Sequence, residues 1–315
     1  MIWVGWRQQR TETLIAAGVL LLIAAFLVPS GLDMAHAYDR EGIAACLSAH
    51  PSPMCADAIG SFTSRFEAKS NLVAWLTLLP GLLGVLLAAP LVLELENGTY
   101  RLAWTQSITR RAWIAWKLGL AVGAALAAAA AVTLLLTWWR APLIHLEGRM
   151  EQSAFDSQGI VVVGYTLFAL GLATAVGVIW RRAVPALVVG FGVYFAARLF
   201  VDFWLRQRLV SPLTATWRDG NNAPTNLNHA WVLSEYPSNA LGHLAPLPFE
   251  CASVKGNVKV IDPACMLTHG GGFTHAVYEP ASRFWLMQGV ETALFGGVAL
   301  ALLAFSAWWI HSRRA

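Results

Sequence analysis

Charge is what this chain has least of. Asp, Glu, Lys and Arg make up 13% of its 315 residues, against about a quarter of a typical soluble domain. Hydrophobic residues reach 57% and the mean hydropathy is +0.55, which excludes an ordinary water-soluble globule. A net charge of +4 is too small and too dispersed for a surface that tracks nucleic-acid phosphates. Three catalytic signatures are also missing from the sequence: GxxxxGK[ST], HExxH and GxSxG. Their absence excludes ATP hydrolysis by the usual phosphate-cradling loop, and it leaves a zinc protease or serine hydrolase of the common kinds without a motif. Cysteine is scarce, with only four in the chain.

What the sequence does have is long apolar runs. Six stand out, over residues 13–28, 72–93, 114–138, 160–180, 184–205 and 284–310. About 20 helical residues cross a hydrocarbon core of about 30 Å. The runs are continuous rather than alternating, so they predict helices and not barrel strands. The expected fold is therefore an all-α membrane protein with six transmembrane helices in a single domain, 1–315.

Six spans place both termini on one side. The segments 1–12, 94–113, 181–183 and 311–315 hold nine Lys/Arg in 40 residues, whereas 29–71, 139–159 and 206–283 hold eleven in 142. The denser set is expected in the cytoplasm. Except for Trp217 and Trp231, the fifteen tryptophans fall at or near proposed span ends, where indole rings prefer the interface. Cys46, Cys55, Cys251 and Cys265 all fall in the proposed outer loops. Disulfides persist in oxidising compartments, so the pairs Cys46–Cys55 and Cys251–Cys265 are expected, although four cysteines allow three connectivities.

At the N-terminus, Trp3 and Trp6 with Arg7 and Arg10 suggest a short helix, 1–12, lying on the inner surface. Ala35, His36 and Ala37 offer the competing grammar of a cleaved signal. Outer loop 30–70 is mixed polar, with a helix expected around residues 57–69. The outer loop 206–283 is rich in Asn, Pro, Gly and His; a structureless loop of that length is unusual, so it is expected to be functional or locally folded with a disulfide staple, its fold left open, and only its 269–275 stretch reads as flexible. Its His269 and His275 lack further ligands at metal-site spacing, and no metal is expected.

The stretch ELENGTYRLAWTQSITRR, residues 94–111, is unusually polar for a turn between two spans. Glu94 and Glu96 mark where the second span reaches water. Gly98 suits a left-handed helix end, and Thr99 suits the start of a new helix. Tyr100, Trp104 and Ile108 form an apolar stripe at helical spacing, expected against the lipid interface, while Arg101, Thr105 and Gln106 face the cytoplasm. Inside the membrane, Arg198 and Asp202 of the fifth span and Glu291 of the sixth lie at similar depth and are expected to form a charge cluster in its outer half.

The pattern E-x-E-x-G-T-x-R-L-x-W-T-Q-S-x-T-R-R followed by W-x-x-x-K resembles the cytoplasmic loop of bacterial ATP-binding cassette (ABC) type-2 exporter permeases. IWVGWRQQR at residues 2–10 and SRFWLMQGVETALF at 282–295 are similar to the same family. The resemblance implies a coupling helix within 94–113 that docks on a separate ATPase through Glu94, Glu96, Gly98, Thr99, Arg101, Thr105 and Gln106. It implies a large extracytoplasmic segment, 206–283, before the last span, 284–310. It further implies a second permease subunit, identical or paralogous, in a bacterial plasma membrane. ATP and magnesium would sit in the partner; no cofactor is expected in this chain, and it is not expected to be an enzyme itself. Two other classes stay open on the residues alone. One is an extracytoplasmic sensor or immunity protein that uses the long outer loop. The other is a membrane-embedded enzyme built on Asp202 and Glu291.

Overall fold

The computed structural model describes residues 2–48, 53–101, 109–219, 221–245, 251–255, 258–261, 263–268 and 271–312, with side chains from residue 13 onward and excluding 252–264 and 267. The described residues are mostly helical, at 79%. Six helices are long and apolar enough to cross a membrane: Thr13–Arg40, Pro53–Asn97, Arg110–Glu147, Val161–Trp180, Ala183–Leu209 and Ala281–Ser312. Each contains one of the six apolar runs, and several extend well past it.

Two compact units form. The first comprises Met1–His145, Ser153–Val201 and Gln288–Ala315. Its helix α1 (Ile2–Arg40) is continuous, so the inner-surface segment and the first span are one element with no break after residue 12. The short α2 (Ile43–Ser48) and α3 (Pro53–Ala74) follow. The region expected as a polar outer loop is thus mostly helix. Polar residues do not stop a helix; they only stop it from being lipid-soaked. The hairpin is fastened by the Cys46–Cys55 disulfide, and Asp33 of α1 receives Arg65 at 3.2 Å and Lys69 at 3.1 Å from α3.

A 3₁₀ turn over Trp75–Leu78 joins α3 to α4 (Leu79–Asn97). Pro80 falls in the first turn of α4, where the missing amide hydrogen costs nothing, so Pro80 starts a helix here rather than bending one. The long α5 (Arg110–Glu147), the short α6 (Gln152–Ser157), α7 (Val161–Trp180) and α8 (Ala183–Phe200) follow, and α11 (Phe284–Ser312) closes the chain.

The centre of this unit is α4 and α7. Within the most apolar windows, 67% and 78% of the second and fourth spans are buried, against 22–28% for the other four. Glycine permits this approach, because without a hydrophobic force between helices in lipid, packing depends on close contact. A Cβ at Gly177 of α7 would fall 2.3 Å from Val92 of α4, and one at Gly81 would fall 2.1 Å from the Tyr194 ring of α8.

The second unit, Leu146–Gln152 and Asp202–Met287, gives a fold to the long outer loop, which the sequence left open. Its strands β1 (Leu213–Arg218), β2 (Trp231–Ser238) and β5 (Phe273–Glu279) make an antiparallel sheet in the order β1-β5-β2. A hairpin of β3 (Ala252–Lys255) and β4 (Val258–Ile261) stands apart, and α10 (Pro263–Thr268) follows it. The Cys251–Cys265 disulfide staples that hairpin. Polar side chains hold the sheet: Thr216 meets His275 at 2.7 Å and Asn226 donates to the Tyr278 hydroxyl at 2.5 Å. His275 is therefore a structural residue of this sheet, while His269 lies outside the described residues.

Candidate functional site

The first site is the end of the bundle where α4 gives way to α5. Gly98 ends α4 with φ +68, the left-handed cap that only glycine adopts freely. The start of α5 is capped by Thr109, whose hydroxyl accepts from the Ala112 amide at 3.3 Å. Thr99 is exposed on the intervening turn, as is Arg101. Leu102, Trp104, Thr105, Gln106 and Ile108 lie outside the described residues. Tyr100 does not rest on lipid. It is 4% exposed and packs against Trp113 with ring centroids 6.3 Å apart. It belongs to an apolar cluster with Leu91, Leu95, Ile114, Val178 and Ile310. That cluster gathers residues from α4, α5, α7 and α11, so the turn is seated on the bundle itself.

The two acids of this stretch are engaged inside the chain. Glu94 forms an ion pair with Lys117 of α5, with the two side chains 12% and 6% exposed. Glu96 is exposed but accepts the Ala183 amide at 2.8 Å. That amide is the first of α8, where unpaired N–H groups and the helix dipole favour a carboxylate. One short stretch, Glu94–Glu96, therefore ties the end of α4 to both α5 and α8. Lys117, which sequence reasoning did not pair with Glu94, lies 23 residues from it, a separation that carries no local signal.

The second site is a buried ion cluster. Arg198 of α8 reaches Glu291 of α11 at 3.3 Å and Asp156 of α6 at 2.9 Å. Its guanidinium lies 3.8 Å from the centre of the Tyr165 ring, within cation–π range. The Tyr165 hydroxyl donates to Glu291 at 2.5 Å and stands 3.4 Å from Asp156. The Arg198–Glu291 pairing matches the sequence expectation; Asp156 and Tyr165 were not foreseen. Asp202 belongs to the second unit. It lies in a π turn, Val201–Leu205, just past Arg198, and pairs with Arg206 at 2.7 Å. Arg206 is 3% exposed and neutralised locally by that pairing.

Asp156 reaches the cluster because its segment is pinned. Gln288 of α11 accepts the Val161 amide at 2.9 Å through Oε1 and donates to the Phe155 carbonyl at 2.8 Å through Nε2. Gly159, at φ +70, leaves room for that amide, since a Cβ would fall 2.7 Å from Gln288 Oε1. One glutamine thus satisfies backbone on both sides of a tight turn that buries Asp156, Ser157 and Gln158. Where the bundle buries charge it also pairs it, as a low dielectric requires.

Six apolar helices long enough to span a bilayer, with buried charges paired inside the bundle, mark a multi-pass membrane protein. The chain belongs to the family described as ABC-2 membrane transporter related, whose model matches residues 17–206. It is accordingly a permease of the ABC-2 type. No curated protein and no solved structure matches the chain.

Proposed function

We propose that this permease is the membrane subunit of a bacterial ABC exporter, moving its substrate outward across the plasma membrane. The energy comes from ATP hydrolysis in a separate nucleotide-binding subunit. Two permease subunits, alike or paralogous, complete the pathway. The termini and the 94–113 connection face the cytoplasm, and both disulfides face the oxidising side, in keeping with the distribution of Lys/Arg.

The observation that carries this reading is the way the 94–113 connection is built into the family-matched bundle. The ATPase docks on the exposed part of the turn at Thr99 and Arg101, with Thr105 and Gln106, which lie outside the described residues, assigned to the same contact by the sequence pattern alone. Glu94 and Glu96 act one layer deeper. They pass a push on the turn to α5 through Lys117 and to α8 through its first amide, so the second, third and fifth spans shift together. A contact network with discrete arrangements can transmit such a displacement.

The test is co-expression with a candidate P-loop nucleotide-binding subunit. Arg101→Glu should reduce co-purification of that ATPase by about tenfold, the loss expected from reversing one charge-assisted contact. Unchanged co-purification together with unchanged ATP-stimulated transport would remove the docking surface from this turn.

A further inference from the structure

The second unit presents a rigid apolar tip. Its turn after β2 is fastened at every step: Asn239 Oδ1 accepts the amides of Leu241 and His243, both at 3.0 Å. The Asn239 amide returns a bond to the His243 carbonyl at 2.9 Å, and Ala245 donates to Pro237 at 3.0 Å. Gly242 turns at φ +80 so close to the sheet that a Cβ would lie 2.6 Å from His275 Nδ1. A turn held this firmly has its side-chain directions set by its backbone. Yet it holds Leu241 83% and Leu244 69% exposed. No Asp, Glu, Lys or Arg occurs between Glu235 and Glu250, and the stretch continues as APLPF.

We propose that this tip is a membrane-interface anchor, with Leu241 and Leu244 inserted among the acyl chains of the bilayer that the permease spans. The choice of lipid as occupant rests on three features. The unit is tethered at both ends to candidate spans, Ala183–Leu209 before it and Ala281–Ser312 after it, so the bilayer is held at high effective concentration. An uncharged tip carries none of the ion-pairing groups that a polar protein partner would read. Paired leucines on a pre-ordered turn lose little freedom on insertion. The anchor would hold the second unit at the membrane while the spans move.

The experiment uses the full chain in proteoliposomes of phosphatidylethanolamine and phosphatidylglycerol. All four natural cysteines are paired, so Leu241→Cys supplies a single thiol for a nitrobenzoxadiazole label. Glu235→Cys, on the exposed part of β2, supplies the aqueous reference. The expected result is several-fold stronger quenching at 241 than at 235 by lipids carrying nitroxide on the acyl chain, with protection from iodide. Adding Leu244→Asp should return the label at 241 to the reference behaviour. Iodide quenching at 241 equal to that at 235 would overturn the proposal. So would shielding from both quenchers, which would show a protein surface over the tip, either another subunit or a second copy.

Discussion

Tyr165 stands between the charges of the buried cluster: its hydroxyl is 2.5 Å from Glu291 while its ring lies 3.8 Å beneath the Arg198 guanidinium. The same arginine carries Asp156 at 2.9 Å. The cluster is therefore a clamp across α6, α7, α8 and α11 rather than a single bridge between two spans.

Removing the arginine should be costly. Arg198→Gln leaves Glu291 and Asp156 buried without their cation, a change worth about 3–5 kcal/mol, and should lower the melting temperature of the detergent-purified protein sharply. The reciprocal exchange Arg198→Glu with Glu291→Arg should not restore stability, because a glutamate at 198 would face Asp156. Recovery to the wild-type melting temperature would show that Asp156 contributes nothing.

The Glu94–Lys117 pair should behave as a coupled unit. Lys117→Met alone strands a largely buried carboxylate; Glu94→Gln alone strands an ammonium. The double variant should be more stable than the sum of the two losses predicts, by about 1–3 kcal/mol of interaction energy. Strict additivity in thermal melts would mean the pair is not formed.

Two glycines of similar sequence context should respond in opposite ways. Gly81→Ala drives a methyl into the Tyr194 ring, 2.1 Å away, and should cost about 1–3 kcal/mol by overpacking. Gly119→Ala meets nothing within 4 Å and should stabilise α5 by up to about 1 kcal/mol through helix propensity. Melting temperatures of the two variants moving in the same direction would contradict the packing described for α4 and α8.

The second disulfide should matter to its own unit. Cys251→Ser with Cys265→Ser opens a loop of sequence separation 14 and should weaken the second unit by about 3 kcal/mol. Limited proteolysis should then cut between residues 245 and 270 much faster than in the wild type. Non-reducing mass spectrometry should find the peptide pairs 46–55 and 251–265. A crossed pairing would overturn both assignments.

The cluster shows why half of a site can be read from sequence. Arg198 and Glu291 interrupt apolar runs, and a charge inside a span must find a partner, so their pairing was legible. Asp156 lies in a short polar connection, where a carboxylate ordinarily meets water, and only the Gln288 clamp carries it inward. Tyr165 looked like any aromatic residue of a span. Likewise Glu94 and Glu96 were legible as the end of an apolar helix, but not as ligands of Lys117 and the α8 amide. Those partners are 23 and 87 residues away, and no local spacing encodes them.

What the sequence determined by itself was the solvent of each segment. Six long apolar runs with few charges read as helices in lipid, because hydrocarbon leaves backbone groups no other partner; Gly98 ends a helix because its backbone can turn left-handed. What only the tertiary structure decided was which polar groups meet. It gave the long outer loop a three-stranded sheet, made a polar loop a helical hairpin, and tied Glu94 and Glu96 to Lys117 and the α8 amide. The reason is physical: the cost of exposing apolar surface is local and shows in composition. The pairing of charges and amides depends on distances that exist only once the chain has packed.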